Sequence, residues 1–324
     1  MDENTPVPVH KSVPGILLLD KPLGLSSNQA LQRVRRCYGR PVAGHTGTLD
    51  PLASGMLPIC LGEATKIAGL LLGSRKSYVA QIALGRRTAT ADAEGKVLEE
   101  RSVPRLSGSG VAAALRAFVG PRQQKPPMYS AVHVGGERLY KLARQGIEVD
   151  RPDRAIAIHR IDLIELGAAS LRVEVECSTG TYIRVLAEEI AVALGTVGFL
   201  SALHRAWVEP FAGESMLTLD SLEARAATEP QALAGLLLPI ERGLAGREEI
   251  ELDFERALRL AQGQTVDATG HSGPRVVFGP GRRLLGLGEV AEDGRLRPRR
   301  LFSWAIDSKA CARQDAVERD PGRR

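Results

Sequence analysis

The 324-residue sequence predicts an α+β fold, built on a mixed, largely antiparallel sheet and followed by a small C-terminal β-barrel. Three observations carry this. In LRVEVECS, Leu171, Val173 and Val175 face one way while Arg172, Glu174 and Glu176 face the other. Such half-buried alternation suits an antiparallel or mixed sheet, because parallel strands covered on both faces read as unbroken apolar runs. Helical stretches lie between the strand blocks, which separates the chain from an all-β fold. Beyond about residue 247 the chain changes into short apolar runs cut by GPG and EDG turns, the pattern of a small barrel or meander.

The elements follow in order. GILLLDKP is a short buried strand halted at Pro22, and Ser26 or Ser27 can cap a helix with apolar positions Ala30, Leu31, Val34 and Tyr38, ended by Gly39. Arg33, Arg35 and Arg36 fall on its polar side, either as a solvated face or as phosphate contacts. Glycine and proline punctuate residues 44–58, which are expected to form an ordered loop. SYVAQIALG and RAIAIHRIDLIELG alternate as strands, while residues 111–120 and 182–195 are helical. Residues 196–245 are expected to mix helical segments with loops. The chain is long enough for one large core and a second small one. The expected organisation is a polar tail at 1–13, a main domain at 14–247, a barrel at 248–305 and a charged tail at 306–324.

A net charge of +5 permits approach to a polyanion, and the basic residues are mostly arginine, which forks onto phosphate and stacks on bases. The four cysteines, Cys37, Cys60, Cys177 and Cys311, form no CxxC pair and suggest neither a zinc site nor a disulfide framework. The N-terminal residues carry no apolar signal region, and no stretch reaches the roughly 18 apolar residues of a membrane span. A cytoplasmic protein without a membrane anchor is expected. In Gly44–Pro58, Pro51 biases Asp50 away from helical backbone and sets its carboxylate on an irregular loop. That carboxylate is either a functional group at a cleft or a turn-capping aspartate, and local pattern leaves both open. The segment lacks the GK[ST] and GxGxxG signatures of nucleotide-binding loops.

GILLLDKPLGLSSNQALQRVRR, AGHTGTLDPLASGMLPICLGEATK and CSTGTYIRVLAEEI, in this order, resemble the bacterial tRNA pseudouridine-55 synthase (TruB) family. The similarity continues through PPMYSAVHVGGERLYKLARQGIEV and LGLGEVAEDGRLRPRRL, from about Gly15 to Phe302. It implies a pseudouridine synthase fold with a terminal PUA-like RNA-binding barrel, and an isomerase that flips uridine 55 out of the tRNA T-loop and rejoins its base through carbon. It further implies a secondary tRNA-folding role. Neither metal nor cofactor is expected, nor a guide RNA or obligate protein partner, and a monomer is the default.

The resemblance also assigns residues. Asp50 matches the catalytic carboxylate, acting as nucleophile or base at the sugar. Tyr78 matches the tyrosine that stacks on the target base, and Arg184 the arginine that pairs with the catalytic aspartate. Tyr182 and Leu203 match uracil-pocket residues. His45 matches a histidine that enters the disrupted T-loop. Asp92, in TATADAEG, matches a polar-network residue able to orient Arg184 or Tyr78, although Ala89 and Glu94 stand where many relatives carry aspartate. Lys21 and Pro22 are expected to shape the pocket floor. Residues 122–151 match an insertion that closes over the tRNA arm, with Lys125, Arg138, Lys141, Arg144 and Arg151 as phosphate contacts or, alternatively, a solvated cluster.

Overall fold

The computed structural model describes residues 14–306 except 131, 132, 135, 136, 140, 141, 143, 144, 146 and 148. Both expected tails lie essentially outside the described residues, as do Lys141 and Arg144.

The main sheet opens with β1 (Gly15–Lys21), after which Ser26 caps α1 (Ser27–Cys37) in a reciprocal capping box with Gln29. The helix turns Ala30, Leu31 and Val34 inward, as its spacing predicts. Next come β2 (Ala43–His45), β3 (Ala53–Leu61), α2 (Ala68–Leu72) and β4 (Lys76–Leu84). A ribbon of β5 (Arg86–Thr88) and β6 (Val97–Glu100) precedes α3 (Gly108–Arg116), β7 (Gly120–Gln124) and the short hairpin β8 (His133–Val134) and β9 (Glu137–Arg138). The chain continues through β10 (Arg154–Leu166), β11 (Ser170–Cys177), α4 (Ile183–Ala193), β12 (Gly198–Val208), β13 (Leu217–Thr218) and α5 (Leu219–Thr228).

The strand order is β13-β1-β3-β12-β4-β11-β10-β7, with β2 added on β3. Pairs β1/β13 and β3/β12 are parallel, and the remaining pairs are antiparallel. The mixed, largely antiparallel sheet is therefore the one the alternation predicts.

Two sequence expectations give way. The ordered loop at 44–58 is confined to residues 46–52, because β2 and β3 occupy its two ends. β3 is buried on both faces and so shows no alternation, and its Gly55 and Pro58 read as turn residues. Gly55 is there because it sits at φ +101° and a Cβ would lie 2.3 Å from the Arg205 carbonyl oxygen on the parallel neighbour β12. The second change is β12 itself, an eleven-residue strand within the region expected to be helix and loop. Its polar Ser201, His204 and Arg205 break the apolar pattern. The expected insertion at 122–151 likewise begins inside β7, whose residues pair with β10.

The C-terminal unit comprises β14 (Glu249–Glu251), α6 (Phe254–Ala261), β15 (Val266–Asp267), β16 (Gly273–Gly279), β17 (Arg283–Val290), β18 (Arg295–Leu301) and α7 (Ser303–Ile306). Its five strands run β14-β16-β17-β18-β15. The three apolar runs of the sequence are β16, β17 and β18. This sheet covers the main sheet: Ile16, Leu18, Met56 and Cys60 share one apolar cluster with Val276, Phe278, Leu284 and Phe302. Leu17 and Leu19 point to the opposite cluster, under α1 and α4. Ile16 to Leu19 of β1 are therefore all apolar because each face meets a core.

Candidate active site

Loop 46–52 is fixed from below. The Ser27 hydroxyl at the head of α1 donates to the Leu49 carbonyl at 3.0 Å and accepts from the Leu49 N–H at 2.7 Å. Gly24 N–H donates to the Pro51 carbonyl, Ala53 N–H to the Asp50 carbonyl and Thr46 N–H to the Pro58 carbonyl. Backbone pinned on both sides of Asp50 leaves its carboxylate few positions, the condition for a preorganised functional group.

That carboxylate lines a cavity of about 640 Å³, together with Tyr78, Tyr182, Arg184 and Leu203. Its side chain is 42% exposed, whereas its ion-pair partner Arg184, at 3.1 Å, is only 7% exposed. α4 delivers Arg184 from its first turn, and Tyr182 caps the same helix, held by Gln124 through both its N–H and its carbonyl. The Arg184 guanidinium joins three segments. Nη2 reaches Asp50 and donates to the Tyr129 carbonyl at 2.7 Å; Nη1 donates to the Thr90 carbonyl at 3.2 Å and lies 3.4 Å from Asp92. Asp92 is buried and accepts further bonds from the Thr90 hydroxyl and the Glu94 N–H.

Tyr78 projects from β4 and pairs in register with Arg205 of β12 and Val175 of β11. Burial pushes its phenol up from the ordinary value. Lys21, fully buried at the end of β1, donates to the carbonyls of Pro22 and Leu25. Burial lowers it to about 8 against the opposing pull of Asp50, with Arg205 adding to the fall. Lys21 lies in the electrostatic reach of Asp50 but does not line the cavity, and Asp92 and His45 do not line it either. His45 stands on β2, its Nδ1 buried without a hydrogen-bond partner, and burial and then Arg205 hold its imidazole below the usual range.

Sequence reasoning missed three cations in this wall, Lys76, Arg154 and Arg205, along with Ser130 and residues 178–181. For Lys76 a signal existed, since it precedes Tyr78 by two residues and must share its strand face. For Arg205 none did until β12 was recognised as a strand. Two of the three α1 arginines are engaged within the protein: Arg33 is paired with Glu223 and Asp220, and Arg35 donates to the Pro41 carbonyl and to Gln32, while Arg36 is exposed. Lys125 is paired with Asp150, and Arg138 lies on β9.

Profiles of three domain families match in succession: the N-terminal domain of TruB family pseudouridylate synthases over residues 35–183, the tRNA pseudouridylate synthase B C-terminal domain over 184–245, and the C-terminal region of pseudouridine synthase II TruB over 249–302. The chain is 50% identical over 306 residues to tRNA pseudouridine synthase B of Xanthomonas axonopodis pv. citri (strain 306), covering 94% of this chain and 98% of that protein. It is 49% identical over 295 residues to tRNA pseudouridine synthase B of Nitrosococcus oceani, covering 90% and 96%. Among solved structures, the crystal structure of a Cbf5-Nop10-Gar1 complex contains a chain that superposes with a TM-score of 0.71 at 22% identity, covering 91% of this chain and 87% of that one. The fold is thus that of a TruB/Cbf5-like pseudouridine synthase. With half its residues identical to tRNA pseudouridine synthase B across nearly its whole length, the chain belongs to the TruB family of pseudouridylate synthases.

Proposed function

We propose that the protein isomerises uridine 55 in the T-loop of tRNA to pseudouridine, with Asp50 as its catalytic carboxylate. The observation that carries this reading is the ion pair of a half-exposed Asp50 with a buried Arg184 at the wall of a nucleotide-sized cavity. Cavities of roughly 300–1,000 Å³ suit one small-molecule-sized group, so a base must leave its helix to be reached here. Tyr78 would stack on that base, with Leu203 and Tyr182 bounding it. Arg184 would orient the carboxylate toward the sugar, and Asp92, bound to the same guanidinium, would orient Arg184. Lys21 would support the floor beneath Asp50, and His45, its ring nitrogen unpartnered, would face the remodelled T-loop.

The family's organisation is proposed for the rest of the chain: a catalytic domain at 14–247, residues 122–151 closing over the tRNA arm, and a PUA-like RNA-binding unit at 248–305 holding the acceptor side. The protein would act in the cytoplasm as a monomer without guide RNA, and would also assist tRNA folding. Among the described residues no helix is long and apolar enough to cross a membrane.

Pseudouridine mapping of an unmodified tRNA transcript incubated with the purified protein tests the reading. The intact protein should convert the T-loop uridine, and Asp50→Asn should abolish conversion while retaining tRNA binding. Binding without product from the intact protein would leave only the RNA-binding module.

A further inference from the structure

The cavity wall has an excess of positive charge. Among the described residues Asp50 is the single carboxylate lining it, whereas Lys76, Arg154, Arg184 and Arg205 all do. Arg184 is committed to Asp50 and Asp92, and Arg154 is exposed at the rim. Lys76 and Arg205 are different: they are 5% and 1% exposed, and among the described residues neither is in an ion pair. Carbonyl oxygens hold both. Lys76 Nζ donates to Leu72 at 3.0 Å and to Ser74 at 2.7 Å; Arg205 Nε donates to Met56 at 2.7 Å and Nη2 to Gly47 at 3.1 Å. Two buried cations that repel each other and lack a counterion are costly to maintain.

Their position states what they could serve. Lys76 lies two residues before Tyr78 on β4, and Arg205 pairs with Tyr78 across β12, so both flank the tyrosine on one face of the sheet. On the Gly47 side they approach the loop that carries Asp50: a Cβ at Gly47 would meet Arg205 Nη1 and Lys76 Cε, each at 3.5 Å.

We propose that Lys76 and Arg205 form an electropositive seat that stabilises the negative charge on the uracil as it leaves the ribose. This assignment rests on the activity proposed above and adds residues to it. When the C1′–N1 bond breaks, its electron pair passes to N1 and spreads onto O2 and O4, leaving the base as an anion. The electron-deficient C1′ is then captured by the Asp50 carboxylate or relieved by loss of its neighbouring C2′ proton to that carboxylate. Both routes release the same anion, so the seat is required whichever role Asp50 plays. After rotation C5 bonds to C1′, the carboxylate is released or returns its proton, and the C5 proton moves to N1. The seat meets the base rather than a phosphate because it is buried beside Tyr78, while the nucleotide's phosphates stay at the rim with Arg154. Lys76, lowered to about 8 by burial and then by Arg205, is still mostly cationic at neutral pH.

The test uses Lys76→Met and, as a second variant, Arg205→Gln, with melting curves to verify folding. Single-turnover loss of the N1-linked target nucleoside under saturating enzyme is followed on two tRNA transcripts, one with uridine and one with 5-fluorouridine at the target; the fluorinated base is the more acidic leaving group, and its C–N cleavage is read even though it has no C5 proton to pass to N1. Loss of one preorganised donor typically slows a reaction by about 10²–10³-fold. The expected result is a slowing of that order on uridine, a several-fold smaller slowing on 5-fluorouridine, and little change in tRNA affinity. Equal slowing on both transcripts would mean that the residues only shape the pocket and would overturn the seat. Weakened affinity and salt dependence with an unchanged saturated rate would also overturn it, in favour of a phosphate contact. No conversion by the unaltered protein would overturn the activity and this assignment together.

Discussion

At the scale of single residues, Arg184 has the most far-reaching connections in the site. Its guanidinium holds Asp50 on one side and the buried Asp92 on the other, so removing it leaves one carboxylate unoriented and one charge buried alone. Breaking a buried pair by deleting one partner costs about 3–5 kcal/mol. Arg184→Met should lower stability by that order in urea denaturation and also abolish product formation; a loss below about 1 kcal/mol would show that Asp92 relaxes to solvent. Lys21 and Lys76 predict a pH dependence. Each ionises at about 8 in the fold, against 10.5 when exposed. Between these values the unfolded chain holds protons the folded chain has released, so stability rises with pH. Burial pushes Cys60 up to about 12 and Cys177 up to about 11. Above 9.0 their unfolded thiols lose protons first, which opposes the rise. The urea midpoint should therefore climb between pH 8 and 9 and flatten above; a double Lys21→Met, Lys76→Met variant should lose the climb.

Among the elements, α1 and loop 46–52 act as one unit through Ser27. Its hydroxyl serves both the N–H and the carbonyl of Leu49, next to Asp50, and the site is buried. Ser27→Ala leaves both backbone groups without that partner, at about 1–3 kcal/mol. We expect a reduced conversion rate at unchanged tRNA affinity, because the loop that aims Asp50 loosens while the RNA-facing surface is untouched; a normal rate would mean that the flanking backbone bonds suffice. The same elements mark the limits of the sequence. α1, with Ser26, Ala30, Leu31 and Val34, was readable because capping and helical periodicity are local. β3 and β12 were not, since a strand buried on both faces and a strand lined with site polars each lack the alternation by which strands are read. Leu203 and Arg205 sit on the strand that was missed, and Arg205 went unnoticed with it.

For the whole molecule, the C-terminal sheet is joined to the main sheet by a common core rather than tethered to it. Phe302 is fully buried among Ile16, Ile67, Phe278 and their neighbours, and stacks on Trp304 with centroids 4.8 Å apart. Lys66 donates to the Leu301 carbonyl, and the Ser303 N–H donates to Glu63, across the same seam. Phe302→Ala should cost about 3–5 kcal/mol by the cavity it leaves. Calorimetry of the intact protein should show one cooperative transition; two separated transitions would show that the shared core does not couple the units.

The sequence by itself determined the fold class, the turn-punctuated C-terminal sheet and, through three long motifs, the family and its candidate aspartate. Those features are written in local periodicity and in contiguous residues. The pairing of Arg184 with Asp50 was implied by the family motifs, whereas the meeting of Lys76 with Arg205 was decided by the tertiary structure alone. Arg184 lies 134 positions from Asp50 in the chain, and Lys76 and Arg205 come together only because β4 and β12 are neighbours in the sheet. Strand adjacency is set by packing between distant segments, and no local pattern encodes it.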